Sequence, residues 1–443
     1  MSESLSLKSD PISQPAAKDP LERQTWSSLR IQIGNRLASR LWDKTLDDER
    51  VALDVPTFPI AEWLIKNWWQ LFNELCPGNS IPESRAMDSA WLGWAGRHCI
   101  RSADSSLFLP KLYLYADGRG LVAESRADRP GSLPNMPGEF LTDGVASIDP
   151  VGTEAALVQF INQTLRKVEG IDDDRVERAV GQWHAIVNAD PEEIEFCGLS
   201  GRMGLDPYDP EEVSESLSDL FEAILSDGDR PVVRDLTEAA KPGTVEAQWN
   251  WIGDVSRSLQ LGPRSIDLPF DLPPSEGSPA EYGYELARRV RAFVGVGDSP
   301  IESVEKTAGA AIGRDFRVLP RNDVPGREIK AIVGQAGSGE FIAAGPAPPS
   351  SRGRRFMDAR SLFHALATST ESPRLVTGAY SLDQKASRAF AAEFLAPRKA
   401  LLDKLPGSYA GPDHVERLGN EFRVSAYAIQ WQLENAGVSI SSD

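Results

Sequence analysis

Negative charge is concentrated in one section of this 443-residue chain, and that distribution constrains the fold more than any other feature of the sequence. Residues 136–230 hold 22 Asp and Glu but 6 Lys and Arg, a net charge of −16 out of −18 for the whole chain. Apolar residues recur at helical spacing inside this section, as in Val213, Leu217 and Ile224. The sequence therefore predicts an acidic helical region, within a chain long enough for about two to four packed units.

Composition and periodicity divide the chain further. The first residues are rich in Ser, Pro, Lys and Asp without periodicity, which is typical of a disordered tail. Pro- and Gly-rich runs near 126–140 and at 268–279 mark boundaries. The predicted parts are a disordered tail at 1–20, a Trp-rich α/β module at 21–135, an acidic helical region at 150–262, a domain at 269–404 and a helix pair at 410–437.

The Trp-rich module has clear local signals. Alternating apolar and polar residues predict strands at 29–33 and 51–55 and a β-hairpin at 107–125, and a helix is expected at 60–75. Its tryptophans could line a ligand pocket or form an interaction surface, but core packing is the favoured interpretation. This tryptophan cluster consists of Trp63, Trp68, Trp69, Trp91 and Trp94.

The C-terminal third is predicted to mix strands and helices. The run GQAGSGE at 334–340 lacks the Lys-Ser/Thr of a phosphate-binding loop and lies between strand-like segments, which favours a hairpin turn. Helices are expected at 356–369 and 382–403 around a short strand at 375–377. A final helix pair is expected at 413–436.

Composition excludes several classes of protein. A net charge of −18 opposes coating of nucleic acid or of anionic membranes. The opening residues lack the apolar stretch of a signal peptide, and no run approaches the roughly 18 apolar residues of a membrane span. The three cysteines lie far apart and suggest no disulfide framework. We therefore expect a cytoplasmic protein with no membrane partner.

The histidines give no metal signature by spacing alone. None of the four has a second His three or four residues away, so no pair of imidazoles shares one helical face. Each is expected to be a hydrogen-bonded core or surface residue. They are His98, His184, His364 and His414.

Four segments occur in an order that is typical of one enzyme family. The strongest is SRAFAAEFLAP at 387–397, followed by RLGNEFRVSAYAIQWQL at 417–433, with weaker likenesses at 201–209 and 283–295. From about residue 269 to its end, the chain resembles the ImmA/IrrE family of bacterial and phage zinc metallo-endopeptidases. The resemblance implies a zincin-like domain that ends in a helix-turn-helix-like pair.

The catalytic motif of that family is His-Glu-x-x-His after an Arg-Phe pair, and Arg-Phe occurs here at 355–356. By this resemblance, the first ligand position is Arg360 and the general-base position is Ser361. The second ligand position keeps His364, and the third falls near Gln384. These are vestigial positions, and His364 is the one surviving ligand among them.

Zinc chemistry needs about three N, S or O donors and a base for the bound water. The guanidinium of Arg360 cannot ligate a cation, and Ser361 cannot act as a base near pH 7. No cofactor is therefore expected. A zinc enzyme would need a site rebuilt from donors such as Asp358, Asp383 or Glu393.

The expected fold is α+β and mostly helical, with a mixed N-terminal module, an acidic helical middle and a degenerate peptidase domain. The expected function is that of a catalytically inactive protein that binds a protein partner, senses or regulates. By resemblance, the setting is stress response, mobile-element control or phage defence. The first alternative is an active zinc metallo-endopeptidase that cleaves a repressor or another regulatory protein.

A second alternative is a DNA-binding transcription regulator that uses the helix pair at 413–436. Its presumptive recognition face carries no Lys or Arg, and Arg417 and Arg423 are expected to be its only nearby cations. Because DNA affinity depends on phosphate contacts, nucleic acid binding there is expected to be weak. The acidic section is unsuited to nucleic acid and is expected to be either a solvated surface or a docking surface for a basic partner.

Overall fold

The computed structural model describes residues 2–14, 17–82, 87–129, 131, 136–228, 230–262, 268, 270–274, 277–367 and 373–441. The fold is mixed α+β, with about 47% of the chain in helices and about 18% in strands. Its internal contacts group it into two compact units, Met1–Glu222 and Ala223–Asp443. The prediction of an α+β chain with more helix than strand is confirmed.

The N-terminal unit contains small antiparallel sheets. Its strands are β1 (Leu5–Pro11), β2 (Trp26–Ile33), β3 (Arg36–Leu37), β4 (Leu41–Asp43), β5 (Asp48–Arg50), β6 (Leu53–Pro56), β7 (Lys111–Ala116), β8 (Leu121–Arg126), β9 (Gly138–Phe140) and β10 (Gly144–Ile148). The central strand β2 pairs with β1, β3 and β6. The other two sheets have the orders β10-β8-β7 and β5-β4-β9. The β7–β8 hairpin confirms the hairpin predicted from sequence.

The first residues were predicted to be a disordered tail over 1–20, and this prediction is wrong for the part that forms a strand. β1 pairs with β2 from Leu5↔Ile33 to Pro11↔Ser27. Leu5 and Leu7 are buried on one face of β1, so a period of two was present beneath the Ser-, Lys- and Pro-rich composition. Residues 1, 15 and 16 lie outside the described residues.

Helices cover the sheets of the N-terminal unit. They are α1 (Pro20–Thr25), α2 (Phe58–Lys66), α3 (Trp68–Asn73), α4 (Ser89–His98), α5 (Pro150–Lys167), α6 (Asp174–Asn188) and α7 (Pro191–Arg202), and α8 (Glu215–Asp227) spans the boundary of the units. The single helix expected at 60–75 is divided at Asn67, whose backbone leaves the helical region. Trp63, Trp68, Trp69 and Trp94 are each less than 10% exposed, so most of the tryptophan cluster belongs to the core.

The C-terminal unit is built around one mixed sheet. Its strands are β11 (Phe316–Pro320), β12 (Ile329–Gln335), β13 (Phe341–Gly345) and β14 (Arg374–Thr377), with a small separate pair, β15 (Tyr409–Ala410) and β16 (Ser439–Ile440). The order is β11-β13-β12-β14, which makes β11 and β14 the outer strands. Within this sheet, β11 runs parallel to β13, and β12 is antiparallel to both β13 and β14. The run GQAGSGE ends β12 and then forms the turn to β13 with residues 336–340, so the predicted hairpin turn is confirmed.

Helices surround this sheet. They are α9 (Arg230–Thr237), α10 (Val245–Ser258), α11 (Pro279–Phe293), α12 (Val304–Ile312), α13 (Ser351–Ala367), α14 (Leu382–Leu395), α15 (Arg398–Leu402), α16 (Pro412–Phe422) and α17 (Ala426–Glu434). α13 begins before the predicted 356 because the Ser350 hydroxyl accepts from Gly353 N and caps the helix. The helix expected at 382–403 is interrupted before Pro397, since a residue that precedes proline disfavours helical backbone.

The predicted boundaries around the acidic region differ from the structure. α5 packs on β1 and α2, and α7 packs on α3, so these helices complete the N-terminal unit. α9 packs on β14 and belongs to the C-terminal unit. The region 150–262 is therefore divided between two cores. The prediction failed because charged residues mark the exposed face of a helix and do not show which core its apolar face packs against. Residues 263–267, 269, 275 and 276, which include the start of the predicted 269–404 domain and part of the 268–279 linker, lie outside the described residues.

Candidate functional site

α13 and α14 pack face to face and carry all four positions that the resemblance aligned with the catalytic motif. The Phe363 and Phe390 ring centroids are 5.8 Å apart across this interface, and the rings of Phe390 and Phe394 stack at 5.3 Å. α11 also lies very close to α14. At Gly283 there is no room for a side chain, because a Cβ there would lie 2.2 Å from the Ala386 carbonyl oxygen. Small residues therefore allow the helix packing that positions the site.

Arg360 lies in the interior, where it links α13 to β14 and α14. It is 4% exposed, its Nε donates to Ser387 Oγ at 3.0 Å, and its Nη2 donates to the Thr377 carbonyl oxygen at 2.9 Å. Nη2 also donates to Gln384 Oε1 at 2.6 Å. Burial, reinforced by the charge of Arg388, holds the pKa of Arg360 well below its ordinary value. The guanidinium thus lies among neutral acceptors inside the fold.

Gln384 completes this hydrogen-bond network. Its Oε1 also accepts from Thr377 N at 3.0 Å, and its Nε2 donates to the Leu375 carbonyl oxygen at 2.7 Å. Both ends of the amide are therefore used by β14 and Arg360. The resemblance aligned Gln384 with a zinc-ligand position, and the structure shows that its amide is bound to protein groups.

His364 lies next to the same network and is 2% exposed. Burial and the charges of Arg374 and Arg360 hold its pKa well below the ordinary value, and a hydrogen bond with Gln384 opposes this effect. The imidazole is therefore neutral at neutral pH. The structure brings Arg360, His364 and Gln384 together, as the resemblance implied. Ser361 is buried on a neighbouring face of α13, where it lines a separate cavity.

The residues present do not fit a catalytic zinc. Among the described residues, no group of three or more His, Cys, Asp or Glu side chains is arranged so that it could hold a metal ion. At two of the three positions that the resemblance aligned with zinc ligands, this chain has a guanidinium and an amide that is already bonded to protein groups. A cation would also be repelled by the buried charge of Arg360.

The three carboxylates that could have rebuilt a metal site are directed to three different places. Asp383 accepts from Arg374 Nη2 at 2.6 Å and from Arg234 Nη2 at 3.3 Å. Glu393 accepts from Arg398 N and from Gln432 Nε2, each at 3.1 Å. Asp358 lines the cavity on the other side of α13. The rebuilt zinc site considered from the sequence is therefore not assembled.

A buried ion pair that the sequence did not predict lies beside the network. Arg374, at the start of β14, donates to the two carboxylate oxygens of Asp235 at 2.7 and 2.9 Å. Asp235 Oδ2 also accepts from Leu375 N at 3.0 Å. These hydrogen bonds, with the Asp383 charge, outweigh burial and raise the pKa of Arg374. No local pattern could reveal a pair separated by 139 residues.

Asp358 provides a test of the electrostatics around α13. Burial, with the nearby charge of Glu305, raises its pKa to about 6 from an ordinary 3.8. The folded state therefore binds the Asp358 proton more tightly than the unfolded state, and stability falls as pH rises from about 4 to about 6. We expect Asp358→Asn to raise the free energy of unfolding by about 2 kcal/mol at pH 8 and to leave it unchanged near pH 4. Urea unfolding at both pH values measures this, and an equal effect at both would contradict it.

The terminal helix pair has the turn that the sequence predicted. Arg423 adopts a left-handed backbone, with φ of 56°, and the Ser425 hydroxyl accepts from Ala428 N at 3.2 Å. The exclusion of other nearby cations was wrong, because the first turns of α13 add Arg352 and Arg355. Arg352 Nη2 donates to Asn420 Oδ1, and Arg355 donates to the carbonyl oxygens of residues 301 and 302.

Helices α5, α6 and α7, here called the acidic helices, lie within the most acidic part of the N-terminal unit. Residues 136–222 hold 20 Asp and Glu against 5 Lys and Arg, a net charge of −15. On α6, Val180 and Val187 are 44% and 51% exposed, and they flank the buried face of that helix. Apolar side chains within a negative surface are suited to a partner that is both basic and partly apolar.

His98 in the N-terminal unit is a bonded core histidine, as expected from the sequence. Its Nδ1 lies 2.6 Å from the Leu114 carbonyl oxygen, and its Nε2 lies 3.0 Å from Glu74 Oε2. Arg97 also donates to Glu74, and Trp94 stacks on the imidazole at 4.6 Å. Every polar atom of the ring has a protein partner, which leaves it a structural role.

The sequence matches none of the protein-family models and none of the curated proteins with which it was compared. Of the helices in the described part of the chain, none combines the length and the apolar character that a membrane crossing requires.

Proposed function

We propose that the protein is a catalytically inactive relative of the ImmA/IrrE peptidases, which acts in the cytoplasm by binding and regulating another protein. The observation that carries this proposal is the buried Arg360, whose guanidinium hydrogen-bonds to α14 and β14. The resemblance aligns this residue with a zinc ligand. A cation-repelling group with this many protein contacts is part of the scaffold. The proposal therefore assigns the α13–α14 pair a structural role.

The proposed setting follows from the resemblance. Peptidases of that family cleave repressors in stress response, mobile-element control or phage defence, and we propose that this protein acts beside such a system. The DNA-binding alternative has less support. Arg352, Arg355 and Arg417 each donate to protein acceptors around α16, which leaves their guanidinium groups less available for phosphate contacts.

The proposed partner is basic. Nearly all of the net charge lies in residues 136–222, and the valines of α6 add apolar area to that surface. Burial of Trp63, Trp68, Trp69 and Trp94 argues against a contact through the tryptophan cluster. The acidic helices are thus the better-supported docking surface.

The first test is metal content. We expect the purified protein to retain no stoichiometric zinc after dialysis, both as isolated and after incubation with added zinc, because the donor set is incomplete. Elemental analysis measures this. One equivalent of zinc that survives dialysis and disappears in His364→Ala would contradict the proposal and favour the endopeptidase.

The second test is the salt dependence of partner capture. We expect a pull-down from native cells to recover a basic protein, with less recovered as salt rises and the Debye length falls from about 10 Å at 0.1 M to about 3 Å at 1 M. With that partner purified, Glu177→Gln/Glu192→Gln should slow association by about five-fold, because both exposed carboxylates lie on the acidic helices.

A matched control neutralises two exposed carboxylates of the C-terminal unit, in Glu246→Gln/Glu416→Gln. This variant should associate at the normal rate. If association slowed equally in the two double variants, the effect would be due to net charge and not to a docking surface on the acidic helices. Specific cleavage of a co-incubated repressor, with no partner retained at either salt concentration, would overturn the binding-protein proposal.

A further inference from the structure

A small cavity lies on the face of α13 that carries Ser361. Its volume is about 210 Å³, and its wall is formed by α13, by strands β11 to β13 and by the loop that follows β13. Sites for drug-sized ligands have volumes of about 300–1,000 Å³, so this cavity suits a smaller molecule. Its charged and hydroxyl-bearing residues are Glu305, Lys330, Arg354, Asp358 and Ser361.

Three of these side chains have unused hydrogen-bonding capacity. Within the described residues, the Asp358 carboxylate, the Ser361 hydroxyl and the Arg354 guanidinium form no side-chain hydrogen bond. Polar groups in a folded protein are nearly always paired with protein or water. A half-buried carboxylate, a buried hydroxyl and a rim guanidinium around one cavity therefore indicate groups that are available to a ligand.

The other two charged side chains are already engaged. Glu305 Oε1 accepts from Val318 N at 3.0 Å, and Lys330 Nζ donates to the Arg327 carbonyl oxygen. Burial and the charge of Glu305 disfavour the ionised form of Asp358, whereas the charges of Arg355 and Arg354 favour it. A ligand cation placed against Asp358 would add to this favourable effect. The Asp358 carboxylate therefore remains to accept from a positively charged ligand group. The Arg354 guanidinium and the remaining N–H groups of Lys330 can donate to a negatively charged one.

We propose that this cavity binds a small zwitterion of the α-amino acid class. Its ammonium group would donate to Asp358 and Ser361, and its carboxylate would accept from Arg354, which can donate two parallel hydrogen bonds. The apolar part of the ligand would contact Val318, Ala343 and Met357 on the same wall. This proposal is independent of the proposed function: the cavity could bind its ligand whether or not the acidic helices bind a partner and whether or not zinc is bound.

The experiment is calorimetric titration of the full-length protein with individual free L-amino acids. The N-acetylated form of each amino acid lacks the ammonium charge, and the carboxyl-amidated form lacks the carboxylate charge. Glycylglycine tests whether a short peptide, which is also a zwitterion, binds in place of a free amino acid. We expect at least one free amino acid or the dipeptide to bind with a Kd below about 1 mM. Blocking either end should weaken binding at least about ten-fold.

Variants then assign the contacts. Asp358→Asn should weaken binding about ten-fold or more, and Asp254→Asn, which changes an exposed aspartate of α10, should not. Arg354→Gln should weaken binding of the free amino acid. It should change the affinity for the amidated form very little, because that form has no carboxylate for Arg354 to contact. Failure of every amino acid and of the dipeptide to saturate would overturn the proposal. Binding that persists unchanged in both Asp358→Asn and Arg354→Gln would overturn it equally.

Discussion

Replacing Asp235 with alanine is expected to lower the free energy of unfolding of the C-terminal unit by about 3–5 kcal/mol. Asp235 is 1% exposed and receives two hydrogen bonds from Arg374, at 2.7 and 2.9 Å, and one from Leu375 N. Its removal would leave a buried guanidinium with only the Asp383 contact and would deprive a buried backbone N–H of its acceptor. An uncompensated buried charge is the main source of the predicted cost.

The matched control is Asp383→Ala. The Asp383 side chain is 37% exposed and receives one short hydrogen bond from Arg374, so its loss should cost about 1 kcal/mol or less. Urea unfolding of the full chain measures both variants, and hydrogen exchange assigns the transition to the C-terminal unit. Equal costs would show that burial does not determine the strength of these two ion pairs.

Replacing Phe390 with alanine is expected to cost about 3–5 kcal/mol, because it removes a fully buried aromatic ring from the centre of the helix packing. Phe390 is 0% exposed, and its ring contacts Phe363 of α13 and Phe394 of α14. Phe293→Ala is the control, since Phe293 on α11 is 46% exposed and should cost less than about 1 kcal/mol. An unchanged melting temperature for Phe390→Ala would contradict the assigned packing face.

The sequence predicted those features that depend on local periodicity. The β7–β8 hairpin, the turn at 334–340 and the α16–α17 turn all follow from alternation, glycine or capping residues that lie within a few positions of one another. The convergence of Arg360, His364 and Gln384 was implied by the resemblance. The structure also places them in a hydrogen-bond network, which the spacing of these residues in the sequence did not predict.

Features that depend on distant partners were not predicted. The division of the region 150–262 between two cores depends on the element against which each apolar face packs, such as α3 for α7 and β14 for α9. Charge composition carries no information on that choice. Asp235 looked like one acidic residue among many, although its partner Arg374 gives it a specific structural role. β1 was missed because its buried leucines are few and lie among residues typical of disorder.

The hydrogen bonds around Arg360 have a consequence for how this protein meets other chains. The outward backbone groups of Leu375 and Thr377 on β14 bond to Asp235, Gln384 and Arg360, where a neighbouring strand would otherwise pair. On the opposite outer strand, Val318 N bonds to Glu305. Open sheet edges are templates for edge-to-edge aggregation and for recognition by strand addition. Side chains that take the place of a neighbouring strand on β14 therefore close that edge to other chains, and Arg360 and Gln384 contribute to this protection of the sheet.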